Sequence, residues 1–136
     1  MEVKRVGDKI FVRLDRGEAV IEKLKYVREK YKIKNGFLLG IGALDKVKIG
    51  NYNVKEQSYQ EREFEGSFEV SCLLGNIGPD KIHTHITIGD REFGTKAGHF
   101  SYGRVSGTFE IIIFVSEKPE LRHKYDERTG LSIFDF

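Results

Sequence analysis

From Asn35 onward the chain carries period-two alternation and short apolar runs, with no second helical pattern between them. That succession narrows the folds open to it more than any other feature. Residues 37–41, 47–52, 63–74, 82–88, 105–115 and 131–136 read as strands. Turn chemistry separates them at Gly75–Asp80, at Gly89-Asp90-Arg91 and at Asp126–Gly130. Strands that follow one another without helices pair antiparallel, because a parallel crossover needs about a dozen residues. Ahead of this block, Lys9–Leu14 reads as one more strand. Val20, Ile21, Leu24, Val27 and Tyr31 then recur at helical spacing within residues 16–31. Asp15 stands as the expected N-cap, with Glu18 three residues on, as in a capping box. The expected class is α+β: an antiparallel sheet of about seven strands, folded over on itself, carrying one main helix. Residues 1–136 form a single domain.

Composition narrows the functions. Cys72 is the one cysteine and sits in an apolar run, which excludes a disulfide framework and suits a reducing compartment. No apolar run approaches bilayer length, and the N-terminus lacks an apolar signal segment, so a cytoplasmic protein without membrane contact is expected. The 23 basic and 21 acidic residues are intermixed and leave a net charge of +2, which argues against tight binding to a nucleic-acid backbone. The nearest basic clusters are Arg28–Lys34, with Lys30, Lys32 and Lys34, and Arg122-His123-Lys124. Any DNA contact is expected to be weak and independent of sequence.

Three of the four histidines fall close together, at His83, His85 and His99. Alternate residues of a strand share a face, so His83 and His85 point the same way while Ile82, Thr84, Ile86 and Ile88 face a core. A third imidazole from a neighbouring segment would complete an open site for a divalent metal, with zinc the expected ion. His99 follows Gly98, a residue able to turn the backbone tightly, and supplies that imidazole. His123 is expected elsewhere and uninvolved. Glu69 and Glu110 lie inside strands in the matched segments Gly66-Ser67-Phe68-Glu69-Val70 and Gly107-Thr108-Phe109-Glu110-Ile111. Each faces solvent or meets a partner, and both are candidates for orienting the histidines from a second shell. No nucleophile–base set stands out, so catalytic residues are unassigned; Ser71 and Thr87 are merely strand residues of the same region.

The ordered set Gly40–Leu44, Gly50-Asn51-Tyr52, Gly66–Val70, Leu74–Gly78, His83-Thr84-His85, Gly98-His99 and Thr108–Ile111 resembles the plant- and prokaryote-conserved (PPC) domain, also called domain of unknown function 296. The similarity runs from about Val3 to Phe136. It implies a compact domain on an antiparallel sheet that assembles as a homotrimer, of the stand-alone prokaryotic type. It also implies that the family's histidine motif falls on His83, His85 and His99, where some prokaryotic members hold a metal. The family often has Gly-Gly-His at the third position; this chain has Ala97-Gly98-His99. Plant relatives place the domain after AT-hook segments that bind A·T-rich minor grooves. This chain has no Arg-Gly-Arg-Pro core, so that mechanism has no residues to run on.

Three functions follow. The first is a trimeric PPC protein with a three-histidine divalent-metal site. The second is a DNA-associated or protein-interaction module, after the family's "PD1-like DNA-binding" label. The third is a metal-dependent enzyme of unknown substrate, including a cupin-like one. Cupins also carry His-x-His on a strand, but their pattern wants a Glu about four residues after the second histidine, and Ile86–Asp90 holds none.

Overall fold

A computed structural model describes residues 1–135; Phe136, the end of the expected last strand, lies outside them. The order is β1 (Glu2–Val6), β2 (Lys9–Leu14), α1 (Val20–Lys30), β3 (Gly36–Asn53), β4 (Ser58–Ile77), β5 (Ile82–Gly89), β6 (Thr95–Val115), β7 (His123–Asp126) and β8 (Leu131–Phe134). The class is α+β, as the strand succession predicts. Eight strands are described against about seven expected, and β3, β4 and β6 are longer than the alternation suggests. The two runs at 37–41 and 47–52 are one strand, β3. Its alternation breaks because register shifts at Gly40/Gly42 and Leu44/Lys46 insert irregular residues without ending the ladder. β6 likewise begins at Thr95, ten residues ahead of the apolar run that announced it. β1 and β7 are too polar to announce themselves; a partner strand, not their own pattern, makes them extended.

All pairings are antiparallel. Six strands lie in the order β1-β2-β6-β3-β4-β5, and β6 also pairs with β5. β3, β4, β5 and β6 thereby close a circuit. The C-terminal half of β6 bonds β2 and β3, and its N-terminal end bonds β5. Inside lie Leu38, Leu44, Val47, Leu73, Ile77, Ile86, Ile88, Phe100, Phe109, Ile111 and Ile113, all at most 2% exposed. α1 adds Val20, Leu24 and Val27 from its apolar stripe to the same core.

The helix starts later than its sequence signal. Ala19 is the N-cap and makes no side-chain cap bond. The capping pair forms one turn earlier: the Asp15 N–H donates to the Glu18 carboxylate at 2.9 Å, and the Glu18 N–H donates to the Asp15 carbonyl at 3.2 Å. An isolated bridge between Ala19 and Arg104 then holds the chain extended before α1 can begin.

Two features frame the site. β7 and β8 form a separate hairpin tied back onto the barrel. Leu121 donates to the Lys34 carbonyl at 3.1 Å, the Tyr52 hydroxyl to the Thr129 carbonyl at 2.7 Å and the Gln57 amide to the Glu127 carbonyl at 3.0 Å. The outer sheet face is uncovered: Phe11, Phe37, Leu39, Ile41 and Leu74 are each at least 37% exposed there, while their chain neighbours Ile10, Val12, Leu38 and Leu73 are buried.

Glu18 gives a titratable handle on this frame. Burial pushes its carboxyl up, but bonds from the Asp15 N–H, Lys23 and the Met1 ammonium outweigh that and hold it at about 2. The unfolded chain therefore takes up the proton first as pH falls. The Glu18 contribution is full above about 4.5 and is lost as pH drops toward about 2. Glu18→Gln is expected to cost about 1–2 kcal/mol at neutral pH and to flatten that part of the stability–pH curve, measured by urea unfolding across the range.

Candidate metal centre

β5 reads Ile82-His83-Thr84-His85-Ile86-Thr87-Ile88, and its two faces separate as the alternation requires. Thr84, Ile86 and Ile88 are buried. His83 is half-buried and His85 exposed, both on the other face. His99 joins them through register: in the β5–β6 ladder His85 sits directly opposite His99, and directly opposed residues share a face. One ligand nitrogen from each of the three lies within 4.8 Å of the others. The ring centroids are 5.2 Å apart for His83–His85 and His83–His99, and 5.6 Å for His85–His99.

Gly98 serves this approach, though not as a turn. It lies in extended β6, and a Cβ there would stand 2.6 Å from both the Gly50 carbonyl oxygen and Ile49 Cγ2. The glycine lets β6 press against β3 beside the site. The single glycine of Ala97-Gly98-His99 falls where the close contact is.

The electrostatics suit cation binding. Burial, then the Lys81 ammonium and the other imidazoles, push His83 down to about 4. Burial, His85 and Lys81 also lower His99, against the opposing pull of Glu61. Both rings are thus neutral at physiological pH, with lone pairs free to bind metal. His99 Nδ1 is buried without a hydrogen-bond partner. Three imidazoles fit zinc by donor type. Zn–N bonds of about 2.1 Å hold nitrogens roughly 3.4 Å apart, so small side-chain rotations close this set onto one ion.

Glu69 and Glu110 are exposed on β4 and β6 and do not line the histidine cavity. Glu69 lies opposite Ala43 and Gly89, and Glu110 opposite Arg13 and Ile41. The carboxylate that acts on His99 is Glu61, which Lys48 and Ser101 hold in place. His123, expected elsewhere, lines the same cavity; its Nδ1 lies 3.1 Å from Asp80 Oδ1 and its ring 5.1 Å from that of Phe134. The cavity measures about 750 Å³ and includes Tyr52, Tyr59, Asn76 and Lys81. Lys81 had a sequence signal, since it runs in phase with His83 and His85. Tyr59, 5.2 Å from the His99 ring, had none: only the β3–β4 ladder brings it there.

The model of the Plants and Prokaryotes Conserved (PCC) domain matches residues 1–117. This chain belongs to that family. β7 and β8 lie beyond the matched PCC segment. A candidate DNA-binding protein from Bacteroides thetaiotaomicron superposes with a TM-score of 0.94 at 26% identity, over 99% of this chain and 96% of its own. A metal-containing protein from Archaeoglobus fulgidus shares the fold with a TM-score of 0.88 at 23% identity, over 97% of this chain and 96% of its own. Among curated proteins, the bifunctional protein GlmU of Synechococcus sp. (strain JA-2-3B'a(2-13)) is 24% identical over 127 residues. That match takes in 88% of this chain but only 18% of GlmU.

Gly98→Ala forces β6 off β3 at the site. It is expected to destabilise the fold by about 1–3 kcal/mol, read as a lower urea midpoint with an unchanged m-value.

Proposed function

We propose that this PCC-domain protein holds one zinc ion per chain on His83, His85 and His99. The convergence of three ligand nitrogens within 4.8 Å carries the reading. The metal-containing relative of Archaeoglobus fulgidus supports it. Bound there, zinc would polarise a ligand oxygen and lower the pKa of a bound water to about 7. The chain's own residues shape what can reach that position. Glu61 sets the charge behind His99, Asp80 orients His123, and Tyr59 packs beside His99. A metal-dependent reaction fits this arrangement, with its substrate open. Elemental analysis of untagged protein is expected to give one zinc per chain. His83→Ala, His85→Ala and His99→Ala should each lower zinc occupancy at least about tenfold while the fold persists by circular dichroism. Protein that stays zinc-free after incubation with the ion and removal of excess would refute the centre.

The assembly belongs to the same proposal. Phe11, Phe37, Leu39, Ile41 and Leu74 form a contiguous exposed apolar face through the β2–β6–β3–β4 ladders. Such a face wants a partner. A homotrimer covers it and agrees with the family resemblance. At the C-terminus Leu131, Ile133 and Phe134 line the histidine cavity, with Ile133 still 36% exposed. Light scattering should give three times the 15.6 kDa chain mass. The double variant Leu39→Asp, Ile41→Asp should shift it to a single chain. A single-chain mass for the unaltered protein at micromolar concentration would refute the trimer.

A DNA-associated role is the second reading, favoured by the candidate DNA-binding relative of Bacteroides thetaiotaomicron. The basic clusters speak against strength. Lys34 and Arg122 pair with Glu120 at 2.8 Å, and Lys124 pairs with Asp135 at 2.7 Å. Charges so neutralised release few counterions from a phosphate backbone. Among the described residues no helix is long and apolar enough to cross a membrane.

A further inference from the structure

Among the described residues no carboxylate lines the histidine cavity. Its lining is imidazoles, tyrosines, the amides of Asn51 and Asn76, Ser132, small and apolar residues, and one cation, Lys81. The Lys81 ammonium donates only to the Ser132 carbonyl, at 3.1 Å, and has no acidic partner among the described residues. In the barrel, Lys46, Lys48 and Lys96 each pair with a carboxylate. A divalent ion on the three histidines would add two further positive charges to the same space. The neighbouring acids are committed elsewhere: Asp80 to His123, and Glu61 to Lys48 and Ser101. Uncompensated charge beside an apolar wall is costly, and an anionic ligand relieves it.

The wall gives that ligand a carbon skeleton. Leu131, Ile133 and Phe134 come from the β7–β8 hairpin and close one side of the cavity. Inorganic oxyanions gain nothing from such a surface. Asn76 adds a second polar requirement: its side-chain oxygen is buried with no hydrogen-bond partner, in the row that carries His83 opposite it on β5. An unpaired acceptor in a cation-rich pocket calls for a donor on the ligand. A volume of about 750 Å³ lies within the range of small-molecule sites.

We propose that the cavity binds a small organic hydroxy acid, its carboxylate between the metal centre and Lys81, its hydroxyl donating to Asn76 and its carbon skeleton against the β7–β8 wall. The proposal rests on the zinc reading above. The hairpin's role is then concrete. Lys81 holds it through the Ser132 carbonyl, and Asp80 holds it through both the backbone N–H and the ring of His123. The groups that would grip the ligand also fasten the wall that encloses it.

Calorimetry on the zinc-loaded full chain tests this with lactate, propionate, lactamide and inorganic phosphate. Lactate is expected to bind at least about tenfold tighter than neutral lactamide, and more tightly than propionate or phosphate. Lys81→Met should weaken lactate at least about tenfold and Lys81→Arg should restore most of it, both with zinc content unchanged. Asn76→Leu should erase the preference for lactate over propionate. Equal binding of lactate and lactamide, tighter binding of phosphate, or full lactate affinity in Lys81→Met overturns the hydroxy-acid site. The comparison among ligands on the unaltered protein decides the matter even where a variant fails to fold. Zinc measured on the same samples separates the two readings: full zinc without lactate binding overturns the hydroxy-acid site alone, and absent zinc overturns both.

Discussion

β6 does two jobs, and the molecule depends on its doing both. Its residues Phe109–Phe114 complete the sheet against β2 and β3, while Thr95–His99 bond β5 and close the circuit. Backbone groups left unpaired at such a seam would each cost about 1–3 kcal/mol, so the register is strongly fixed. That register sets His99 against His85. A slip of one residue would turn the imidazoles of β5 toward the core and expose Ile86 and Ile88. The three-histidine cluster is therefore as rigid as the fold itself. It sits on strands, not loops, which suits a site whose ligands must hold their angles.

The chemistry of the cavity follows from what surrounds those strands. Burial keeps His83 and His99 neutral, and Lys81 adds to the effect. Neutral rings bind metal without first losing a proton. On the open side the β7–β8 hairpin supplies apolar contact and His123, from residues that follow the segment the PCC model matches. The barrel and histidines fall within the residues that the family model matches, and the Bacteroides thetaiotaomicron structure superposes over 99% of this chain, so the hairpin wall is part of the fold the two chains share.

The proposed subunit face and the metal centre are connected by the ladder. Phe11, Ile112, Leu39, Leu74 and His85 follow one another across β2, β6, β3, β4 and β5 in a single row of opposed residues. Opposed residues share a face, so the row runs from the uncovered apolar patch to the exposed imidazole. A second copy on that patch, as proposed, would shield the flank of the histidine cluster from water and strengthen its electrostatic contacts.

Much of the fold and the centre was legible in the sequence because strand alternation is a local property. Turn residues and period-two patterning marked most of the sheet. The alternation of Ile82 to Ile88 separated imidazoles from core before any partner strand was known. The helix stripe of Val20, Leu24 and Val27 was equally local. Its start was not, because Ala19 is held by Arg104 from β6. The long continuous β3 was hidden by its bulges, and β1 and β7 by their polarity. Within the site, His83 and His85 were fixed by their spacing of two, but the position of His99 relative to them depends on the β5–β6 ladder, which pairs it with His85 fourteen residues back. Tyr59, Asn76 and His123 reach the cavity, and Glu61 the neighbourhood of His99, by tertiary placement alone. Sequence by itself determined which side chains share a strand face, since that depends on one dihedral pattern. Only the tertiary structure decided which faces meet, since that depends on how a 21-residue strand bends to satisfy two sets of partners at once.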